Sequence, residues 1–169
     1  MHKNIEIKAW YRYHEKIRGF LRENADFIGI DYQIDTYFKA RNGRLKLRKG
    51  NIENYLIYYE RKNEARPKQS DIILYETDSQ IKEILEKSLG VLAVVKKKRE
   101  IYFIENVKFH LDEVNSLGSF IEIEAIDKDG IIGKEKLLEQ CNFYKDLFGI
   151  REEDLIADSY SDMIIRKQK

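Results

Sequence analysis

The sequence predicts an α+β protein: a closed antiparallel eight-stranded β-barrel with flanking helices. Three observations carry that expectation. About eight stretches have strand patterning, most of them joined by short turns. Helical periodicity occurs only after the first strand, near the middle and close to the end. Charged residues recur at alternate positions of several strands, so one sheet face is charged while the other is apolar. Closure around a hydrophilic lumen suits both faces and leaves no open edge.

The 169 residues suit one compact domain, 1–169, with a single proline and no Ser/Gly-rich linker. Charged residues make up 36% of the chain, against roughly 25% in globular proteins. Yet 31 basic and 30 acidic residues leave a formal charge of +1, so bulk charge implies neither nucleic acid nor an acidic membrane as partner. The excess is explained by charges on particular faces. No run is apolar and long enough to span a membrane, and the N-terminus lacks the apolar core of a signal peptide. Cys141 is alone, which excludes a disulfide framework and a thiolate metal site. A cytoplasmic protein is expected. Its eleven tyrosines allow a homodimer without demanding one.

In chain order, residues 4–10 alternate Ile5, Ile7 and Ala9 against Asn4, Glu6 and Lys8, a strand with a polar inner row. Residues 11–24 place Tyr13, Ile17, Phe20 and Leu21 at helical spacing; His14 on that helix is expected to be solvated or half-buried. The segment 27–40 is β-branched and aromatic, one or two strands, and Arg41-Asn42-Gly43 signals a tight turn. Residues 44–50 set Arg44, Lys46 and Arg48 against Leu45 and Leu47. After a turn at 51–54, strands are expected at 55–62 and 70–78, with a polar loop at 63–69. Residues 79–89 carry Ile81, Ile84, Leu85 and Leu89 on one helical stripe, stopped by Gly90. In the strand 91–106, Lys97 and Arg99 share a face and Lys96 and Lys98 point the other way; a solvated basic run is the plain alternative.

The stretch 107–127 reads as a hairpin turning at 115–119, with Gly118 supplying the unusual backbone angles. Phe120, Glu122, Glu124 and Ile126 share one face of its second strand, and Ile121, Ile123 and Ala125 the other. Asp112 lies near the same hairpin, on a face with Lys108 and His110. Carboxylates gathered on strands suit hard cations with oxygen ligands, magnesium or manganese. The alternative is a surface hairpin with solvated acids. Residues 133–149 form a helix with Leu137, Leu138, Cys141, Tyr144, Leu147 and Phe148 on its apolar side, making Cys141 a core thiol. In the tail 154–164, Tyr160, Met163 and Ile164 are expected to dock against the barrel.

Several stretches stand in a telling order: Asn4-Ile5-Glu6-Ile7-Lys8, Gln33-Ile34-Asp35-Thr36-Tyr37-Phe38, Gly43-Arg44-Leu45-Lys46-Leu47-Arg48, Leu56-Ile57-Tyr58-Tyr59-Glu60-Arg61 and Pro67-Lys68-Gln69-Ser70-Asp71. They continue with 95–102, with Leu111-Asp112-Glu113-Val114 and the acidic strand 117–124, and with Ser159-Tyr160-Ser161-Asp162. Together they resemble the CYTH superfamily, the group of class IV adenylyl cyclases and thiamine triphosphatases also called triphosphate tunnel enzymes. The family's opening Glu-x-Glu-x-Lys is departed from at Asn4, which offers a carbonyl oxygen but no charge.

The resemblance implies a small-molecule triphosphate substrate such as ATP, with no nucleic acid and no membrane partner. It implies that Lys8, Lys46, Arg48, Arg61, Lys97 and Arg99 hold the phosphates, and that Lys8, Arg61, Lys97 and Arg99 act in catalysis. Glu6, Asp112, Glu122 and Glu124 would hold Mg2+ or Mn2+, and Arg44 would sit at the mouth. Two reactions share the scaffold. A cyclase lets the ribose 3′-hydroxyl attack the α-phosphorus and releases pyrophosphate; a triphosphatase admits water to the γ-phosphorus. The wording of the motifs favours the cyclase-like branch. A non-catalytic binder of nucleotide or polyphosphate is a third reading. A nucleic-acid module is disfavoured by the alternation of Lys46 and Arg48 with Leu45 and Leu47.

Overall fold

The computed structural model describes residues 2–77 and 80–168. Met1, Lys169, and the pair Asp78 and Ser79, where the expected strand 70–78 would pass to the expected helix, lie outside the described residues. The order of elements is β1 (His2–Trp10), α1 (His14–Asn24), β2 (Asp26–Phe38), β3 (Arg44–Lys49), β4 (Asn54–Arg61), β5 (Lys68–Glu76), α2 (Ile81–Leu89), β6 (Val91–Ile104), β7 (Val107–Val114), β8 (Gly118–Asp127), α3 (Lys134–Leu147) and α4 (Tyr160–Gln168). A single 3-10 turn at Glu152–Asp154 precedes α4. The eight strands close on themselves in the order β1-β5-β4-β3-β2-β6-β7-β8, and every neighbouring pair is antiparallel. The expected closed α+β ring is thus present.

Alternation decides which way each side chain points, because successive Cβ atoms leave opposite faces of a strand. Outside, Ile5, Ile7 and Ala9 of β1, Phe109 and Leu111 of β7, and Ile121, Ile123 and Ala125 of β8 are buried in one cluster. Helices α1 and α3 supply the other half of it through Ile17, Leu21, Leu137 and Cys141. Each of the Ile, Leu and Phe side chains contributes about 1.5–3 kcal/mol by leaving water. Cys141 is a core thiol, as expected, its Sγ–H donating to the Ile5 carbonyl. The β7–β8 turn uses left-handed angles at Ser116 (φ 68°) and Gly118 (φ 113°).

Several local expectations are corrected. Helix α1 begins at His14, and Tyr13 stands outside it, 80% exposed. His14 is buried instead of half-solvated, because its Nε2 donates to the Phe120 carbonyl at 3.0 Å. The segment expected as one or two strands is one strand, β2, with a bulge between Phe27 and Gly29. Strand β5 starts at Lys68, inside the expected loop, because Lys68 and Gln69 pair with Glu6 and Ile5 of β1. The stripe on α2 is not a core face: no α2 residue is buried and Ile84 is 66% exposed. On α3, Leu138 and Leu147 are exposed, while Leu137, Cys141 and Phe148 pack inward.

The tail docks as expected. Inward-facing Tyr37, Val95, Val114 and Phe120 form a second cluster with Ile156 and Tyr160, against which Met163 and Ile164 pack. That cluster plugs one end of the ring with α4. The segment leading to it is held by an antiparallel bridge between Ala9 and Leu155, and Lys68 Nζ donates to the carbonyls of Ile156 and Ala157 at 3.0 and 3.1 Å. No helix among the described residues is long and apolar enough to cross a membrane.

Candidate active site in the barrel lumen

The inward rows meet around one cavity of about 130 Å³. Nine of the ten residues predicted to hold metal or phosphate line it: Glu6, Lys8, Lys46, Arg48, Arg61, Lys97, Arg99, Glu122 and Glu124. With Asp35, Glu53 and Lys108, the wall carries seven basic and five acidic side chains, a surplus of two positive charges. Strands β4 and β5 contribute a different surface. Ile57, Tyr59 and Ile72, with Tyr55 packed against them, make an apolar strip, and Leu74 beside it is 45% exposed.

Buried charges persist only when paired, and here nearly all are. Asp35 on β2 is the hub of the basic side. It accepts from Arg48 Nε and Nη2 at 2.8 and 2.9 Å, from Lys97 Nζ at 2.8 Å and from Lys46 Nζ at 3.1 Å. Burial alone would raise the Asp35 pKa, but Arg48, Lys46 and Lys97 hold it well below the usual carboxylate range. Burial also pushes the Lys97 ammonium down to about 7, against the pull of Asp35.

Glu122 is the hub of the acidic side. It takes Lys8 Nζ at 3.0 Å, Arg99 Nη2 at 2.8 Å and His110 Nδ1 at 3.1 Å. Burial opposes its charge, yet Lys8 and Arg99 keep it ionised well below the ordinary range. Glu6 pairs with Arg61, and Glu124 accepts from the Asn4 amide. Asp112, the tenth predicted residue, does not reach the cavity wall. Both its oxygens are taken, by Arg99 Nε and Nη2 at 2.7 and 2.6 Å and by the Tyr160 hydroxyl at 2.7 Å. It therefore orients Arg99 from behind. Arg44 lies toward the plugged end, bonded to Asp162 of α4 at 2.9 Å.

Four residues of this network, besides Lys108 on the cavity wall, escaped the sequence reading. Asp35 sits in an alternating polar row, Asp31, Gln33, Asp35 and Tyr37, which the aromatic character of the segment obscured. His110 shares its face with Lys108 and Asp112, so alternation does place it inward; burial and Arg99 lower its pKa to about 4, leaving it neutral. Tyr160 carries the Lys8 ammonium 3.9 Å from its ring centroid, a contact no local pattern announces. Glu53 comes from a turn, where alternation has no meaning.

Among the described residues, no three His, Cys, Asp or Glu side chains converge closely enough to hold a cation. The donors nonetheless suit one in kind. Glu6, Glu122 and Glu124 offer hard oxygens, and Asn4 Oδ1 is buried with no partner beside them. Glu122 now faces Lys8 and Arg99, and Glu6 faces Arg61, so a dication and a phosphate chain would each relieve the other's competitor.

A closed antiparallel ring around a two-signed, partly apolar lumen defines the tunnel class of fold. The chain belongs to the CYTH family: the CYTH domain matches residues 2–160. It is 26% identical, over 87% of its length and 83% of the relative's, to a Methanocaldococcus jannaschii protein named "Putative adenylate cyclase MJ0240". Its fold matches the PH1012 protein of Pyrococcus horikoshii with a TM-score of 0.78 and 27% identity, covering 96% of this chain and 98% of that one. It also matches, in fold alone at 14% identity and a TM-score of 0.64, HpAC1 of Hippeastrum, described as a "Putative adenylyl cyclase" with a dominant triphosphatase activity; 100% and 97% of the two chains are covered.

Proposed function

We propose that the lumen binds the phosphate chain of an organic triphosphate and that the protein acts as a class IV adenylyl cyclase-like enzyme, converting ATP to cyclic AMP and pyrophosphate. The observation that carries this reading is the composition of one cavity: seven cations, five carboxylates and an apolar strip. Lysine and arginine rows match phosphate oxygens. An inorganic chain has no use for Tyr55, Ile57, Ile72 and Leu74, whereas an organic group gains by covering them.

Phosphoryl chemistry needs positioning and charge neutralisation more than covalent help. The lumen's surplus of two charges falls short of a triphosphate's several. Glu6, Glu122 and Glu124, with the Asn4 carbonyl, would hold Mg2+ or Mn2+, which supplies further positive charge at the phosphates and lowers the pKa of a hydroxyl beside it. Lys8 and Arg61, freed from Glu122 and Glu6, then face the phosphate chain. Arg99, fixed by Asp112, presents its fork from a rigid mount; Lys97 lies beside it on the same face of β6, and Lys46 and Arg48 act from β3 across β2.

Hydrolysis is the second reading, and the plugged end favours it. A blind lumen takes a chain end-on, so the terminal phosphate goes deepest. The test is incubation with ATP, thiamine triphosphate and inorganic triphosphate, each with Mg2+ or Mn2+, with the products resolved. Cyclic AMP and pyrophosphate establish the cyclase. Orthophosphate without a cyclic product establishes the triphosphatase. Binding without turnover would leave a non-catalytic binder.

A further inference from the structure

We infer that Glu53 is a displaceable counter-ion, holding the Arg48–Lys108 cation pair until a phosphate group of the substrate takes its place. The inference rests on the triphosphate reading above and adds to it a seventh phosphate-contacting cation, Lys108, and a built-in competitor.

Glu53 is the one carboxylate of the cavity wall that comes from a turn, and that turn is clamped. Asp31 on β2 accepts from the backbone N–H groups of Ile52 and Glu53 at 2.9 and 3.0 Å. Asn51 accepts from Tyr32 N at 2.7 Å and donates to the Ile30 carbonyl at 3.0 Å. Gly50 permits the close approach, since a Cβ there would stand 2.4 Å from Asp31 Oδ1. The backbone is therefore fixed against the end of the ring, and only the Glu53 side chain reaches inward. It takes Arg48 Nη1 at 2.8 Å, Gln33 Nε2 at 3.0 Å and Lys108 Nζ. Burial opposes its charge, but Arg48 and Lys108 keep it ionised.

Each of the three Arg48 nitrogens is consequently engaged by a carboxylate. Asp35 occupies Nε and Nη2, and Glu53 occupies Nη1. Two N–H groups remain, one on Nη1 and one on Nη2, but the Nη1 contact that faces Lys108 opens to a phosphate oxygen only when Glu53 yields. Asp35 cannot yield, because its backbone is paired on both sides within β2 and its side chain is 1% exposed with Lys46 and Lys97 also on it. Glu53 can, because rotation of its side chain frees both cations with no backbone movement. The space points the same way. The cavity's 130 Å³ is below the roughly 300 Å³ of small ligand sites, so a phosphate chain must displace something. A phosphate carries more charge than the carboxylate it replaces and suits the guanidinium fork at least as well.

The test is calorimetric titration of inorganic triphosphate, without divalent metal, into wild type, Glu53→Gln and Lys108→Ala. Glu53→Gln is expected to tighten binding by about tenfold or more, the size of one charge-assisted contact, although it loses thermal stability. Lys108→Ala is expected to weaken binding. Glu53→Asp, too short to reach both cations, gives an intermediate gain and serves if the glutamine variant does not fold. Wild-type binding with unchanged or weaker affinity in the Glu53 variants overturns the inference and leaves the triphosphate reading standing. Absence of binding in wild type and variants alike overturns both.

Discussion

The two faces of the strand wall do opposite work. On β8, Ile121, Ile123 and Ala125 point out into the helices and are at most 1% exposed; one residue away on each side, Glu122 and Glu124 point into the lumen. The outer face is held by burial, which sums over many contacts and has no direction. The inner face is held by ion pairs whose Coulomb gain is largely cancelled by desolvation, so a well-packed apolar lumen would be as stable or more so. Stability therefore explains the shell and does not explain the lumen. If the charged interior serves ligand exchange, as proposed, substitutions on the two faces should separate accordingly.

The largest effect is expected from the shell. Phe109 is fully buried, with its ring edge-on to Tyr144 at 4.7 Å and to Phe148 at 5.9 Å. Phe109→Ala should cost about 3–5 kcal/mol in denaturant unfolding, yet leave the triphosphate affinity of the folded fraction unchanged. Within the lumen, Glu122→Gln removes the charge shared by Lys8, Arg99 and His110. Arg99 keeps Asp112, which limits the stability loss to about 3 kcal/mol. Metal-dependent turnover should fall by about a hundredfold or more. A Glu122→Gln enzyme with wild-type rate would break the comparison, because the inner face would then be structural too.

The outer face was the legible one. Period-2 alternation on β1, β3, β7 and β8 needs only the sequence, and closure follows from having to hide one charged face and one apolar one. The same alternation put Lys97, Arg99, Glu122 and Glu124 inward. What alternation could not supply was who pairs with whom. Asp112 shares a face with Lys108 and His110 but stands behind Arg99, because Tyr160 arrives from α4 to complete its bonds. Glu53 is invisible to any periodicity. The stripe on α2 misled, since helical spacing records amphipathicity without saying whether anything covers it.

A smaller effect sharpens the metal question. Asn4 Nδ2 donates to Glu124, and both side chains stand in the strand wall where oxygens gather. Asn4→Glu replaces that donor with a second carboxylate facing Glu124. Without divalent cation the variant should lose about 1–3 kcal/mol of stability. Mg2+ or Mn2+ should restore its melting temperature more than it raises that of wild type, which thermal unfolding with and without metal reads directly. Equal metal response in both proteins would remove Asn4 and Glu124 from the cation site.

The subtlest separation is in pH. Lys97 has its ammonium pushed down to about 7 by burial, against an ordinary 10.5. Folded protein thus releases this proton near pH 7, while the unfolded chain keeps it to about 10.5. Between those values the unfolded state binds more protons, so the Lys97 contribution to stability rises with pH. Phosphate binding must run the other way, because the cation is complete only below about pH 7. Wild-type affinity for inorganic triphosphate should therefore fall by up to about tenfold from pH 6 to pH 9, one charged contact's worth, while its melting temperature gains over the same range. Lys97→Arg holds its proton throughout and should flatten both slopes at once. Lys68, also lowered to about 7, bonds the carbonyls of Ile156 and Ala157 outside the cavity wall and remains in both proteins, so it drops out of the difference. Parallel pH slopes in wild type and Lys97→Arg would place the titrating cation elsewhere and take Lys97 off the phosphate-binding wall.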